Sequence, residues 1–95
     1  MQNPSMTDTP TIGTLHRLGR VTDEQIDVAV EDFLNDPVPG ARRLADGIAI
    51  DVCAVMAANP YAREVIAARD TSEAQMRMAV RSAILLARPV SLRRG

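Results

Sequence analysis

Residues 41–58 have the sequence ARRLADGIAIDVCAVMAA, and the structure that this stretch adopts decides the fold class. Its large apolar side chains recur every three or four residues, which is the spacing of one face of a helix. They are Leu44, Ile48, Val52, Val55 and Met56. This spacing predicts a helix over 41–58.

A strand is the competing interpretation of the same stretch. Ile48, Ile50 and Val52 alternate with other residues as they would in a strand, and the glycine at position 47 is unfavourable in a helix. We find no second stretch of the sequence to pair with such a strand, and an isolated strand is not stable. The helix is therefore favoured, and within it Gly47 would allow a neighbouring backbone to approach closely.

Another helix is predicted over 23–35. Thr22 is a suitable N-cap, and Gln25 stands three residues later at the capping-box position. The apolar residues that follow form one stripe with helical spacing. They are Ile26, Ala29, Val30, Phe33 and Leu34. A proline-rich connector at 37–40 then separates this helix from the stretch at 41–58.

Two further helices are predicted over 60–69 and 73–87. Asn59 and Pro60 suit the N-cap and first position of one helix, and Ser72 suits the N-cap of the other. With a short helical turn at 14–20, these elements predict an all-α fold, a compact bundle of four main helices. The predicted core consists of Ile26, Val30, Phe33, Leu34, Leu44, Ile48, Val52, Val55, Tyr61, Val65, Ile66, Met76, Val80 and Ile84.

A length of 95 residues predicts a single domain. Residues 1–13 contain two prolines and mostly polar side chains, which predicts a flexible N-terminal arm. A single helical domain over 14–90 and a basic tail over 91–95 are expected to follow. The arm lacks the basic and apolar regions of a signal peptide. The longest apolar run, at 47–58, contains an aspartate and is too short to span a bilayer.

Charge is unevenly distributed along the chain, although the net charge is −1. Residues 21–40 carry six acidic residues and no basic one, whereas residues 61–95 carry seven arginines and three acidic residues. One interpretation is that both surfaces are solvated, with an ordinary ion pair between Glu73 and Arg77. The others are that the acidic helix binds a basic partner, or that the arginines bind phosphates.

Residues that carry out catalysis or bind metals are scarce in this sequence. The one histidine, His16, falls in the weakly structured N-terminal segment, and no nucleophile, base and acid have the spacing of a catalytic set. The one cysteine, Cys53, has apolar neighbours that predict a buried side chain, and a lone cysteine fits a reducing compartment. We therefore predict a non-enzymatic, cytoplasmic protein with no cofactor, no metal, no small-molecule substrate and no membrane partner.

The sequence favours a protein that acts by binding another protein, as an adaptor, assembly factor or inhibitor, or that forms a homodimer through the helices at 41–58 and 73–87. One candidate surface is apolar, at Leu85 and Leu86, which widen the apolar band of the last helix. The other is the acidic face of the 23–35 helix, which a phage-type inhibitor could use to imitate nucleic-acid charge. The residues of this acidic face are Asp23, Asp27, Glu31 and Asp32.

A helix-turn-helix DNA-binding regulator is the alternative function. The helices at 60–69 and 73–87, with a polar turn between them, resemble that motif in part. In this interpretation Gln75, Arg77 and Arg81 would contact nucleic acid. The turn lacks the glycine often found there and is about one residue short. A component of a larger complex, without activity of its own, is a third hypothesis.

Overall fold

The computed structural model describes residues 9–90, which form five helices and one β-hairpin. The prediction of an all-α bundle of four main helices is therefore wrong, and the fold combines helices with a small sheet. The elements are α1 (Ile12–Arg17), α2 (Asp23–Asn35), β1 (Arg42–Ala45), β2 (Ile48–Ile50), α3 (Val52–Ala57), α4 (Pro60–Ala67) and α5 (Glu73–Leu86). Residues 1–8 of the predicted arm and the predicted tail at 91–95 lie outside the described residues.

The hairpin occupies the first half of the stretch that was predicted to be helical over 41–58. Its strands are antiparallel, with Arg42 opposite Ile50, Arg43 opposite Ala49 and Ala45 opposite Ile48. Asp46 and Gly47 form the turn, in which Gly47 has a φ of 72°, a left-handed conformation that disfavours a side chain. The strand at 48–50 therefore has its partner immediately before it in the chain, and the objection that it would be isolated does not hold.

The second half of the same stretch is helical, and Asp51 separates the two halves. Its side-chain Oδ1 accepts a hydrogen bond from the backbone N–H of Ala54 at 3.0 Å, which caps α3. Its Oδ2 accepts a hydrogen bond from the N–H of Gly40 at 3.2 Å. One carboxylate thus starts the helix and ties the connector before β1 to the residue that follows β2.

The predictions for the other main helices are confirmed. α2 begins and ends at the predicted residues, and Thr22 and Gln25 form the expected capping box. α4 has Asn59 as its N-cap and Pro60 in its first turn, and it ends at Ala67, two residues before the predicted end. α5 begins after Ser72, which forms a second capping box, and ends one residue before the predicted end.

The core lies around α5, which packs against each of the four other helices. Val80 and Ile84 of α5 have no exposed surface, nor have Ile12 of α1 and Ile26 of α2. The placement of Tyr61 in the core is wrong, because 69% of its surface is exposed and the neighbouring Ala62 is buried instead. The predicted core residues that are buried are Ile26, Val30, Leu44, Ile48, Val80 and Ile84, and those partly buried against them include Phe33, Leu34, Val52, Val55, Val65 and Ile66.

Both ends of the described segment are attached to the rest of the fold. The N–H of Ile12 donates to the carbonyl of Ala87 at 2.8 Å, so α1 begins inside the segment that was predicted to be a flexible arm. The N–H of Val90 donates to the carbonyl of Ala49 at 2.9 Å and adds an isolated bridge to the outer side of β2. Among the helices of the described residues, none is long and apolar enough to cross a membrane.

Candidate functional site

A row of ion pairs joins α2 to α5, and we call it the charged seam. It consists of Asp23, Asp27 and Glu31 from α2 and Arg77 and Arg81 from α5. Arg77 donates from Nε to Oε2 of Glu31 and from Nη2 to Oε1 at 3.2 Å. Arg81 donates from Nη2 to Asp23 at 2.9 Å and from Nη1 to Asp27 at 3.5 Å. Two arginines thus bridge three carboxylates of the neighbouring helix.

Hydrogen bonds within the seam shift the pKa values of Asp23, Glu31 and Arg77. The hydrogen bond from Arg81, followed by the one from His16, lowers the pKa of the Asp23 carboxyl. His16 takes part through Nε2, which lies 2.8 Å from Oδ1 of Asp23. The hydrogen bond from Arg77 lowers the pKa of Glu31, and the same contact raises the pKa of Arg77. These shifts favour the charged forms of Asp23, Glu31 and Arg77.

The seam brings together residues that the sequence suggested for two different functions. Asp23, Asp27 and Glu31 were predicted as an acidic partner-binding face, and they lie against two arginines predicted as nucleic-acid contacts. Gln75, the third predicted nucleic-acid contact, accepts a hydrogen bond from the N–H of Ser72 at 2.8 Å in the capping box. All three predicted nucleic-acid contacts therefore have intramolecular partners.

The other predicted surface residues are dispersed. Leu85 is partly buried against the core, whereas 70% of the surface of Leu86 is exposed. The predicted i,i+4 pair between Glu73 and Arg77 is present, with 3.4 Å between Oε2 and Nη2. Asp32, the fourth residue of the predicted acidic face, lies outside the seam and lines a groove on another side of α2.

This groove, which we call the α2–hairpin groove, has a volume of about 490 Å³ and is open to solvent. The lining residues of α2 form one wall, and those of the connector and hairpin form the other. Val52, the first residue of α3, also lines the groove. The lining residues are Glu24, Gln25, Asp27, Val28, Ala29, Asp32, Phe33, Asp36, Val38, Gly40, Arg42, Arg43, Leu44, Ile50 and Val52. Asp27 and Asp32 are the residues of this set that the sequence predicted as site residues, both as members of the acidic face of α2.

Most of the surface that lines the groove is apolar. Leu44 and Ile50 of the hairpin are buried, and Phe33 is partly buried against the core. Two valines of the groove are exposed to water: Val28 on α2, with 60% of its surface exposed, and Val38 in the connector, with 43% exposed. Exposed apolar surface grouped in a concave site is a common feature of binding surfaces.

The rim of the groove carries charges of opposite sign on its two walls. The α2 wall presents Glu24, Asp32 and Asp36, and the hairpin wall presents Arg42 and Arg43. All five residues are exposed, and within residues 9–90 none of them forms an ion pair. In contrast to the seam, the groove therefore offers charges that the described part of the chain does not neutralise.

Two features of the sequence are related to the groove. An Asp-Gly pair between short apolar runs, as at 46–47, is a strong signal for a hairpin. Val28 lies outside the apolar stripe of α2, on the face that otherwise carries charged residues. The hairpin forms one wall of the groove, so the helix predicted over 41–58 gave no indication of the groove.

The described residues hold no cluster of side chains suited to bind a metal ion. Within 9–90, no three histidine, cysteine or acidic side chains are grouped as metal ligands would be. Cys53 is partly buried, which is less burial than the sequence predicted.

Comparison of the chain with protein families, curated proteins and solved structures gives no significant match. The groove and the seam are therefore the features of this chain that bear on its function.

Proposed function

We propose that this protein acts by binding another protein, as an adaptor, assembly factor or inhibitor, and that the α2–hairpin groove is the contact surface. The observation that carries the proposal is the open apolar groove, with two exposed valines and a charged rim. No catalytic step and no cofactor is assigned to the chain in this proposal. The proposed location is the cytoplasm, because a sequence with a single cysteine fits a reducing compartment.

Burial of the groove by a partner would contribute binding energy. Removing apolar surface from water is favourable by about 25 cal/mol per Å². Val28 and Val38 are the exposed apolar side chains of the groove, and a partner that covered them would gain this term. The unpaired charges on the two walls would then select the orientation of the partner, because rim charges contribute more to specificity than to affinity.

The charged seam gives less support to the two other predicted modes of action. An acidic face that imitates nucleic acid needs free carboxylates, and three of the four predicted ones are paired with arginine. A helix-turn-helix regulator needs side chains free to contact bases and phosphates, and Arg77 and Arg81 are paired with α2. Either function would first require the ion pairs between α2 and α5 to break.

The experiment is a pull-down from cells of the source organism, with and without nuclease, using wild type, Val28→Arg and Tyr61→Arg. Tyr61 is the matched control, since it is 69% exposed on α4 and lies outside the groove. We expect a protein in stoichiometric amount, retained after nuclease treatment, bound by wild type and Tyr61→Arg and lost with Val28→Arg. Retention of the same protein by Val28→Arg, or recovery of nucleic acid alone, would contradict the proposal.

A further inference from the structure

The wall of the groove that α2 forms is both apolar and acidic. It carries Val28, with 60% of its surface exposed, and all the carboxylates of the groove lining. Those carboxylates belong to Glu24, Asp27, Asp32 and Asp36. α2 contains no lysine or arginine, so no basic side chain of the same helix balances them. A partner that covers Val28 therefore also meets a row of negative charges.

Most of these carboxylates are available to a partner. Asp27 is already paired with an arginine of α5, at 3.5 Å. Glu24, Asp32 and Asp36 are exposed, and they form no ion pair within residues 9–90. Glu24 lies four residues before Val28 and Asp32 lies four residues after it. The exposed valine thus has an unpaired carboxylate about one helical turn away on each side.

From this arrangement we infer that the partner segment that fills the groove is apolar and carries lysine or arginine on the side that faces α2. The inference rests on the proposed function and gives the chemistry of its partner. A basic side chain suits the position over Val28, because its methylene stem can cover the valine while its charged head reaches a carboxylate one turn away. Arginine can also bind a carboxylate through two parallel hydrogen bonds.

The hairpin wall determines the opposite side of the partner segment. Arg42 and Arg43 are exposed on this wall and form no ion pair within the part of the chain that the structure describes. Like charges that meet across an interface are costly, so the side of the segment that faces the hairpin should lack lysine and arginine. The bound segment is therefore asymmetric, basic towards α2 and neutral or acidic towards the hairpin.

A negatively charged partner, such as a nucleic acid, is disfavoured in the same groove. It could approach Arg42 and Arg43, but the unpaired carboxylates of the α2 wall outnumber these two arginines. Such a partner would either leave Val28 uncovered or place negative charge beside Glu24 and Asp32. The distribution of charge favours a basic protein segment.

The test is a selection of peptides by the purified full-length protein, which does not require the natural partner. The probe is a library of random peptides of about 16 residues displayed on phage, a length that spans Glu24 to Asp32 as a helix or as an extended chain. Wild type is one bait, and Val28→Asn is the other, because this substitution removes apolar surface without adding charge. We expect the peptides retained by wild type alone to combine apolar residues with lysine or arginine and to be positively charged.

Synthetic copies of the selected peptides then test the α2 wall directly, by fluorescence anisotropy. Glu24→Gln with Asp32→Asn, which we call the α2 variant, should raise the peptide Kd about fivefold or more, because it removes two carboxylates with little change in side-chain size. The matched control is Glu64→Gln with Asp70→Asn, which removes the same charges at exposed positions outside the groove. We expect the control to bind the peptides as wild type does, and both variants to have the circular dichroism spectrum of wild type.

Three results would each overturn the inference. They are selected peptides that are neutral or acidic, a library from which wild type retains no more than Val28→Asn does, and an α2 variant that binds the basic peptides as its control does. Neutral or acidic peptides, together with a protein that is lost on Val28→Arg in the pull-down, would overturn the inference and leave the proposed function standing. Basic peptides that depend on the α2 wall, with no protein recovered from cells, would do the reverse.

Discussion

Arg81 of α5 donates a hydrogen bond from Nη2 to Oδ1 of Asp23 at 2.9 Å, across 58 positions of sequence. The same carboxylate oxygen lies 2.8 Å from Nε2 of His16, so Asp23 connects α1, α2 and α5 at one point. A local charge pattern shows that a helix is acidic or basic, but it does not show which distant charges meet. In this chain the acidic and the arginine-rich segments meet each other.

Acid should weaken the fold through the charged seam. The pKa values of Asp23 and Glu31 are lowered from 3.8 and 4.5, so both carboxyls stabilise the fold fully above those values. That contribution is lost as the pH falls through the lowered values, because the carboxyls then gain protons. Asp23 faces Arg81 and His16, and Glu31 faces Arg77. We expect Tm to fall below about pH 4.5, and to fall less in Glu31→Gln than in wild type.

Thermal unfolding followed by circular dichroism between about pH 3 and pH 7 measures this effect. Glu64→Gln is the control, since Glu64 is exposed on α4 and forms no ion pair within the described residues. If the Tm of Glu31→Gln fell with decreasing pH as much as the Tm of wild type, the seam would not couple pH to stability.

Truncation of Ile84 should be strongly destabilising. Ile84 has no exposed surface and lies at the centre of the core, so Ile84→Ala should cost about 2 to 5 kcal/mol of unfolding free energy. Leu86→Ala is the matched control on the same helix, because 70% of Leu86 is exposed and its loss should cost about 0.5 kcal/mol or less. Urea denaturation of both variants is the measurement, and equal costs would contradict the core assignment.

Asp51→Ala should destabilise the protein by about 1 kcal/mol, because α3 would lose its N-cap. Asp51→Asn should cost less, since an asparagine oxygen can still accept the hydrogen bond from Ala54. The second contact of Asp51, to Gly40, holds the connector that forms part of the groove. Urea denaturation separates the two variants, and equal loss in both would assign the effect to charge rather than to capping.

Gly47→Ala should weaken the hairpin by about 1 to 2 kcal/mol, because alanine is strained at a φ of 72°. Apart from Gly47 and its two chain neighbours, no atom of the described residues lies within 4 Å of the position that a Cβ would take, so the cost comes from the backbone alone. Gly47→Asn should cost less, since asparagine tolerates the left-handed region better than alanine does. If urea denaturation gave asparagine the larger cost, the turn conformation would be contradicted.

The elements that could be predicted from sequence are those with local start and stop signals. α2, α4 and α5 each begin at a capping residue, and local hydrogen bonds decide those boundaries. The 41–58 stretch was harder because strand and helix spacings coincide at Ile48 and Val52. The Asp-Gly turn at 46–47 settles the choice, since it supplies the pairing partner that a strand needs.

Contacts between distant elements could not be predicted in the same way. α4 has eight residues and apolar side chains on several faces, so spacing alone did not show that Ala62, rather than Tyr61, is buried. Close backbone approach was expected at Gly47, but it occurs at Gly13, where a Cβ would lie 3.0 Å from the carbonyl oxygen of Leu85. The groove likewise depends on how α2 packs against the hairpin, which no local pattern records.

The attachment of α1 to the end of α5 has a topological consequence. Arg88 donates from Nε to the carbonyl of Thr9 at 2.8 Å, next to the hydrogen bond from Ile12 to Ala87, so residues near both ends of the described segment lie side by side. The two ends of the segment over 9–90 are therefore close to each other in space. A short linker could join its ends, and new termini could be opened at the exposed hairpin turn with the packing of the five helices retained.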